Sequence, residues 1–265
     1  MAVRLELGTE GYSPNLLRKI EFAGANSPSF HQASSVLECL AEFSISGKHV
    51  QRLTERLGTE RKTAQDQQVD EFKARRQKPQ FQDAPAVAVV LVDAGKRQLR
   101  SDDGAPGVRE QHWADTKVAC LVSYPERVVP VDPQPEPPAA FLDRTVVPRL
   151  CAEMERVRSH PVALPPKKPR SREPVERSEP QDAPSSPRPL LRTVVATMSN
   201  AEVFGYLVAA EANARNFYGA ATRAVIGDGG NWIGPLGETH FPGWTQILDF
   251  LHLLVHGYAA AGCAF

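Results

Sequence analysis

Sixteen of the chain's 23 prolines fall between Pro125 and Pro189, and this clustering constrains the fold more than any other feature. Proline fixes φ and lacks a backbone N–H, so a dense run of it enters neither a helix interior nor a central strand. The stretch PPKKPRSREPVERSEPQDAPSSPRP (165–189) also has almost no large apolar side chain. A segment without apolar mass cannot offset the entropy of ordering, so it is predicted to be an extended, disordered linker. The chain therefore divides into a helical region at 1–78, apolar-patterned blocks at 84–124 and 190–265, and a proline-rich linker or insertion at 125–189. Neither apolar block has enough strands to cover itself, so the two are expected to be halves of one sheet.

The first region carries apolar residues at three-to-four spacing in SPNLLRKIEFAGA and SFHQASSVLECLAEF, which predicts helices. In SISGKHVQRLTERLGTERKTA, Ser46 is placed as an N-cap and Val50, Leu53 and Leu57 form one apolar stripe. The other face offers Lys48, His49, Gln51, Arg52 and Arg56. Two such helices joined by a short turn form the helix-turn-helix pattern, for which these five residues are the candidate DNA contacts. A helical hairpin with a solvated charged face accounts for the same spacing.

Beyond the helices, AVAVVLVDAG is a continuous apolar run ending at Asp93 and reads as a buried central strand. KRQLRSDD is predicted as a second strand and TKVACLVSY as a third, with a polar loop, GAPGVREQH, between them, making an antiparallel meander. After the linker, NAEVFGYLVAAEANARNF reads as a helix capped near Asn200. TRAVIG is a short strand stopping at Asp228 in a glycine turn, and a helix runs from about Asn231 to His240. GWTQILDF is a strand ending at Asp249, and LHLLVHGYAAA is a final helix. The predicted order is βββ, linker, αβαβα, an α/β chain with a mixed sheet in the order of the ribonuclease-H-like fold.

Asp93 and Asp228 each close an apolar strand just before glycine. On neighbouring parallel strands they would emerge at one sheet edge, where two carboxylates call for a cation. Hard Mg²⁺ suits such oxygens and serves phosphodiester transfer. Each aspartate alone is equally a strand-end turn former. GDGGNW lacks the Lys-Ser/Thr of a nucleotide P-loop, and His252 with His256 lacks the glutamate of a zinc hydrolase helix.

Net charge is zero, with 31 basic and 31 acidic residues, so bulk charge selects no partner. Residues 47–78 and 167–192 are nonetheless locally basic, and local patches govern phosphate contacts. Four scattered cysteines without a CxxC pair favour reduced thiols over a disulfide framework or zinc ribbon. No apolar run approaches the ~20 residues that cross a bilayer. Together these place the chain in the cytoplasm, without a membrane partner.

VIGDGGNWI followed by HFPGWTQILDFLH resembles the second catalytic-aspartate region of DDE transposases of the Mutator-like group, in particular a bacterial insertion-sequence family. REQHWADTKVACLVSY resembles that family's Trp-centred strand, and VDPQPEPPAAFLD, RTVVATMSNAEVFGYLVAAEA and SPSFHQASSVLECLAEFSISGKHVQRLTERLGTE resemble further family blocks in the same order. The resemblance implies a ribonuclease-H-like core that cleaves and joins DNA at insertion-sequence ends with Mg²⁺ or Mn²⁺. Asp93 and Asp228 would be acidic ligands, and His252 with Asp249 would support the site, with Asp249 the substitute third ligand. The family's third acid is a glutamate well downstream, which this sequence does not reach, so the resemblance implies an incomplete transposase with impaired catalysis. Its partners would be double-stranded terminal repeats and a second copy or a full-length transposase, associated with the nucleoid of a bacterium. The alternative is a non-catalytic DNA-binding regulator derived from such an enzyme.

Overall fold

A computed structural model describes residues 11–99, 112–132, 135–136, 141, 143, 145–159 and 188–264. The predicted strand end at 100–103, the polar loop at 104–111 and most of the proline-rich tract lie outside the described residues. The chain forms two compact units, residues 1–76 and 77–265.

The first unit holds three helices, α1 (Pro14–Asn26), α2 (Phe30–Ala41) and α3 (Gly47–Lys73). Each begins on a serine whose hydroxyl accepts a backbone N–H three residues on: Ser13 from Leu16, Ser29 from Gln32 and Ser46 from His49. Ile20, Ala23, Ala33, Leu37, Ile45, Val50 and Leu53 form the core, with Leu16, Leu17, Phe30 and Phe43 packed around it. Leu57 is half-buried at the margin of the expected stripe. Two glycines allow close approach. A β-carbon on Gly24 would lie 2.1 Å from Thr54 Oγ1, and one on Gly47 would lie 3.0 Å from the His31 backbone. The α2–α3 turn is fixed by Glu42 at φ 51°, with the Phe43 N–H donating to Leu37 O, and by the Ser34 hydroxyl donating to Ile45 O.

The second unit is α/β, built on a five-stranded mixed sheet in the order β3-β2-β1-β4-β5. Its strands are β1 (Val87–Leu99), β2 (His112–Tyr124), β3 (Leu191–Thr197), β4 (Thr222–Gly227) and β5 (Thr245–Leu248). β1 pairs antiparallel with β2 and β2 with β3, whereas β4 runs parallel to β1 and β5 parallel to β4. Helices α4 (Val146–Ser159), α5 (Ala201–Ala214), α6 (Ile233–His240) and α7 (Phe250–Ala264) complete it. One sheet face carries Ala88, Val90, Val92, Ala119, Leu121 and Val195, all buried, beside α5 with its buried Phe204, Leu207 and Val208. The Asn200 side chain caps α5 by accepting from Val203 N–H at 2.9 Å.

Two expectations need correction. The chain does not turn at Asp93: KRQL continues β1, because β2 pairs with it over an unbroken 13-residue register. The third strand of the antiparallel half is instead LRTVVAT, beyond the proline-rich tract, so two strands and not three precede that tract. Ahead of 165–189, within the span read as a linker or insertion, lies the helix α4, whose Pro148 sits in the first turn, where a missing N–H breaks no helical hydrogen bond. α4 packs against α7 through Cys151, whose thiol lies 4.0 Å from Val255 O, and Phe141 meets Phe250 edge-on at 5.4 Å. Among the described residues no helix is long and apolar enough to cross a membrane.

Candidate functional site

Strand register decides where the three aspartates stand. β1 and β4 pair in parallel up to Leu91 opposite Ile226, and the same offset carried two residues further sets Asp93 opposite Asp228. β4 and β5 pair up to Gly227 opposite Leu248, and one further step sets Asp228 opposite Asp249. The Asp249 N–H donates to Gly227 O at 2.8 Å, which holds that alignment past the end of β5. Adjacent strands lie ~4.8 Å apart and residues at one register share a face, so the three acids form a row across one end of the parallel half. On β1 that face is the one of Val89 and Leu91, opposite the face that α5 covers.

Glycine makes room beneath Asp228. A β-carbon on Gly227 would lie 2.9 Å from Ile233 Cδ1 and 3.1 Å from Val92 Cγ2, so a side chain there would push α6 from the strand end. Gly229 follows at φ +82°, a conformation that costs an L-residue strain. Asp228 closes this turn by accepting the Gly230 N–H at 2.9 Å.

Each carboxylate spends one oxygen on local backbone. Asp93 Oδ1 accepts from Ala94 N–H at 2.7 Å and Asp249 Oδ1 from Leu251 N–H at 2.8 Å, the latter as the cap of α7. Asp249 Oδ2 lies 3.3 Å from His252 Nδ1, an ion-pair distance without a hydrogen bond at that nitrogen. The second oxygens of Asp93 and Asp228 have no hydrogen bond or ion pair among the described residues. Carboxylate oxygens are hard donors, of the kind that Mg²⁺ or Mn²⁺ takes together with water. Yet no group of three or more His, Cys, Asp or Glu side chains among the described residues gathers closely enough to hold a metal. Asp93 and Asp228 each keep one oxygen for such an ion, whereas Asp249 is committed to α7 and His252.

The five predicted DNA contacts separate on α3. Lys48, Gln51 and Arg52 are exposed along its first two turns, whereas His49 is half-buried with its ring 5.8 Å from that of Tyr12. Arg52 reaches back to His49 Nε2 at 3.1 Å, and Gln51 donates to Glu55 at 2.8 Å. Arg56 is ion-paired with Glu60 at 3.6 Å. Lys48 and Arg52, one turn apart, are thus the exposed cations of the five, and Arg56 is half-buried.

Sequence reasoning missed a second basic element. Beyond the end of β3 and β4 pairing, Gly95–Leu99 and His112–Thr116 continue as a two-stranded ribbon bearing Lys96, Arg97 and Trp113. The signal was present as unbroken extended pattern through Asp93, but the Asp-Ala-Gly sequence suggested a turn there.

In comparisons with known proteins, no family model and no curated protein matches this chain.

Proposed function

We propose that the second unit is a ribonuclease-H-like core of the DDE transposase type, acting on DNA phosphodiesters at insertion-sequence ends. The observation that carries this reading is the parallel register of β1 and β4 at the centre of the sheet, Leu91 opposite Ile226, which continued two residues sets Asp93 opposite Asp228. The element order supports it: three antiparallel strands followed by αβαβα is the order such a core requires, even though the proline-rich tract interrupts it after the second strand. Asp93 and Asp228 would hold Mg²⁺ or Mn²⁺ through their uncommitted oxygens, and the ion would supply charge neutralisation at the phosphate. His252, oriented by Asp249, stands on the first turn of α7 and would donate to a phosphate oxygen. The helical unit would bind the duplex through Lys48 and Arg52 in a helix-turn-helix manner.

The test is Mg²⁺- or Mn²⁺-dependent nicking of labelled duplex carrying the element's terminal repeats, with Asp228→Asn alongside. Loss of nicking in the variant, with its fold retained, is the expected result. Nicking that survives Asp93→Asn and Asp228→Asn together would sink the reading.

A second reading is favoured by one observation: Asp249, the expected substitute ligand, caps α7 and lies against His252. On that reading the chain is a non-catalytic regulator that binds terminal repeats and competes with a complete transposase. It predicts preferential, salt-sensitive binding to terminal repeats with no divalent-dependent cleavage; equal affinity for random duplex would count against it.

A further inference from the structure

We infer that the β1–β2 ribbon is a second polynucleotide-contacting element, one that grips the phosphate backbone of duplex DNA beside the aspartate row. The inference rests on the phosphodiester reading for its ligand and on the ribbon's own geometry for its place.

β1 loses its β4 partner after Leu91, and β2 joins β3 only from Lys117 onward, so five cross-strand pairs from Gly95↔Thr116 to Leu99↔His112 stand with neither outer strand beside them. At about 3.4 Å per residue the ribbon reaches ~17 Å past the sheet. A β-carbon on Gly95 would meet nothing within 4 Å, and Ala94, Lys96, Arg97, Trp113 and Asp115 are at least partly open to solvent. A two-stranded ribbon is one of the two elements whose width suits the major groove of B-DNA.

The two faces carry different chemistry. Strand alternation puts Arg97 on the face of Asp93, four residues and ~13 Å further along β1. Lys96 lies on the opposite face, across from Asp115 and diagonal to Trp113. Neither the Lys96 nor the Arg97 side chain has a hydrogen bond or ion pair among the described residues, their backbones being paired with β2. A polyanion approaching three aligned aspartates is repelled unless cations flank them, and Arg97 is the cation that continues the same face. Trp113, 40 % exposed, adds an apolar surface for sugar or base.

The chain contains a convenient reporter. Residues 1–76 contain no tryptophan, while Trp232 is half-buried and Trp244 buried, so Trp113 is the exposed indole of the full chain. Titrating the full-length protein with duplex oligonucleotide in EDTA should quench its emission, and Trp113→Phe should remove that quenching. Lys96→Ala combined with Arg97→Ala should make the plot of log affinity against log salt shallower by about 1.8, two contacts at ~0.9 each. Lys96→Arg with Arg97→Lys should retain the original slope, which separates lost charge from a damaged ribbon. An unchanged slope in the alanine variant, or emission unaffected by DNA, overturns the proposal. Because these titrations contain no divalent ion, DNA gripped by the ribbon without later nicking would fail the cleavage reading alone. Asp228-dependent nicking with an unchanged slope would fail the ribbon alone.

Discussion

Asp93 on β1 and Asp228 past the end of β4 stand at one register of two neighbouring parallel strands, each with one carboxylate oxygen bonded to backbone and the other unpaired among the described residues. Two negative charges so placed repel one another, and a divalent ion converts that repulsion into attraction.

The consequence is measurable by thermal unfolding. Asparagine keeps the acceptor oxygen that closes each local turn, so Asp93→Asn should unfold at a temperature no lower than the parent chain in EDTA. Adding Mn²⁺ should raise the parent's midpoint, because an ion that binds the folded state alone stabilises it by mass action. The same addition should leave Asp93→Asn and Asp228→Asn nearly unmoved. An equal Mn²⁺ shift in all three chains would show that the ion binds elsewhere.

Much of this arrangement was legible in the residues. The apolar runs AVAVVLVD and TRAVIGD read as central strands, although Asp93 lies midway along a longer strand and only Asp228 follows a strand end, and Ser46 marked the start of α3. The misplacements share a cause: turn chemistry is a local preference, and pairing overrides it. Asp93-Ala94-Gly95 has turn composition, but 13 opposed residues on β2 keep the backbone extended. LRTVVAT has no turn signal separating it from the proline-rich tract before it, and it becomes a strand by pairing with β2 from Lys117 to Ser123. The commitment of Asp249 to α7 was illegible for another reason, since a helix cap and a metal ligand ask for the same side chain.

Gly24 gives a test of the helical unit. In most helix interiors glycine to alanine stabilises, by ~1 kcal/mol. Here the added carbon would sit 2.1 Å from Thr54 Oγ1, at the crossing of α1 and α3, and that hydroxyl is buried without a hydrogen-bond partner. Gly24→Ala should therefore cost about 1–3 kcal/mol in urea unfolding, as overpacking does. Thr54→Ala should recover most of it in the double variant, because it removes both the clash and the orphaned hydroxyl. Independent, additive effects of the two substitutions would contradict the close approach.

Glu42 offers the opposite sign. It ends α2 at φ 51° and ψ 34°, a left-handed conformation that β-carbon crowding disfavours. Its side chain is exposed. Glu42→Gly should raise stability by about 0.5–1 kcal/mol, the relief of strain outweighing the greater freedom of glycine when unfolded. Hydrogen exchange at Phe43, whose N–H donates to Leu37 O, should slow in the variant. A loss of stability would show that the Glu42 side chain contributes something beyond its conformation.

His240 predicts how the second unit responds to acid. It ends α6 with its ring 4.8 Å from that of Tyr206, and a β-carbon on Gly205 would lie 2.5 Å from its Nε2, so α5 and α6 close directly over the imidazole. Burial lowers its pKa below the ordinary histidine value of 6.5, an effect that the charge of Glu202 partly offsets. A histidine whose folded pKa is depressed binds its proton more readily when unfolded. Its contribution to stability is therefore complete above pH ~6.5 and is lost progressively as pH falls toward the folded pKa. His240→Gln removes the titrating group while retaining a polar side chain of similar reach, so its unfolding midpoint should fall less steeply than the parent's as pH drops below ~6.5. Glu202→Gln should act in the other direction, steepening the parent's decline by removing the charge that favours the imidazolium. Parallel pH profiles for the parent and His240→Gln would mean that the ring titrates as freely in the folded chain as in the unfolded one, and that the α5–α6 packing does not exclude water from it.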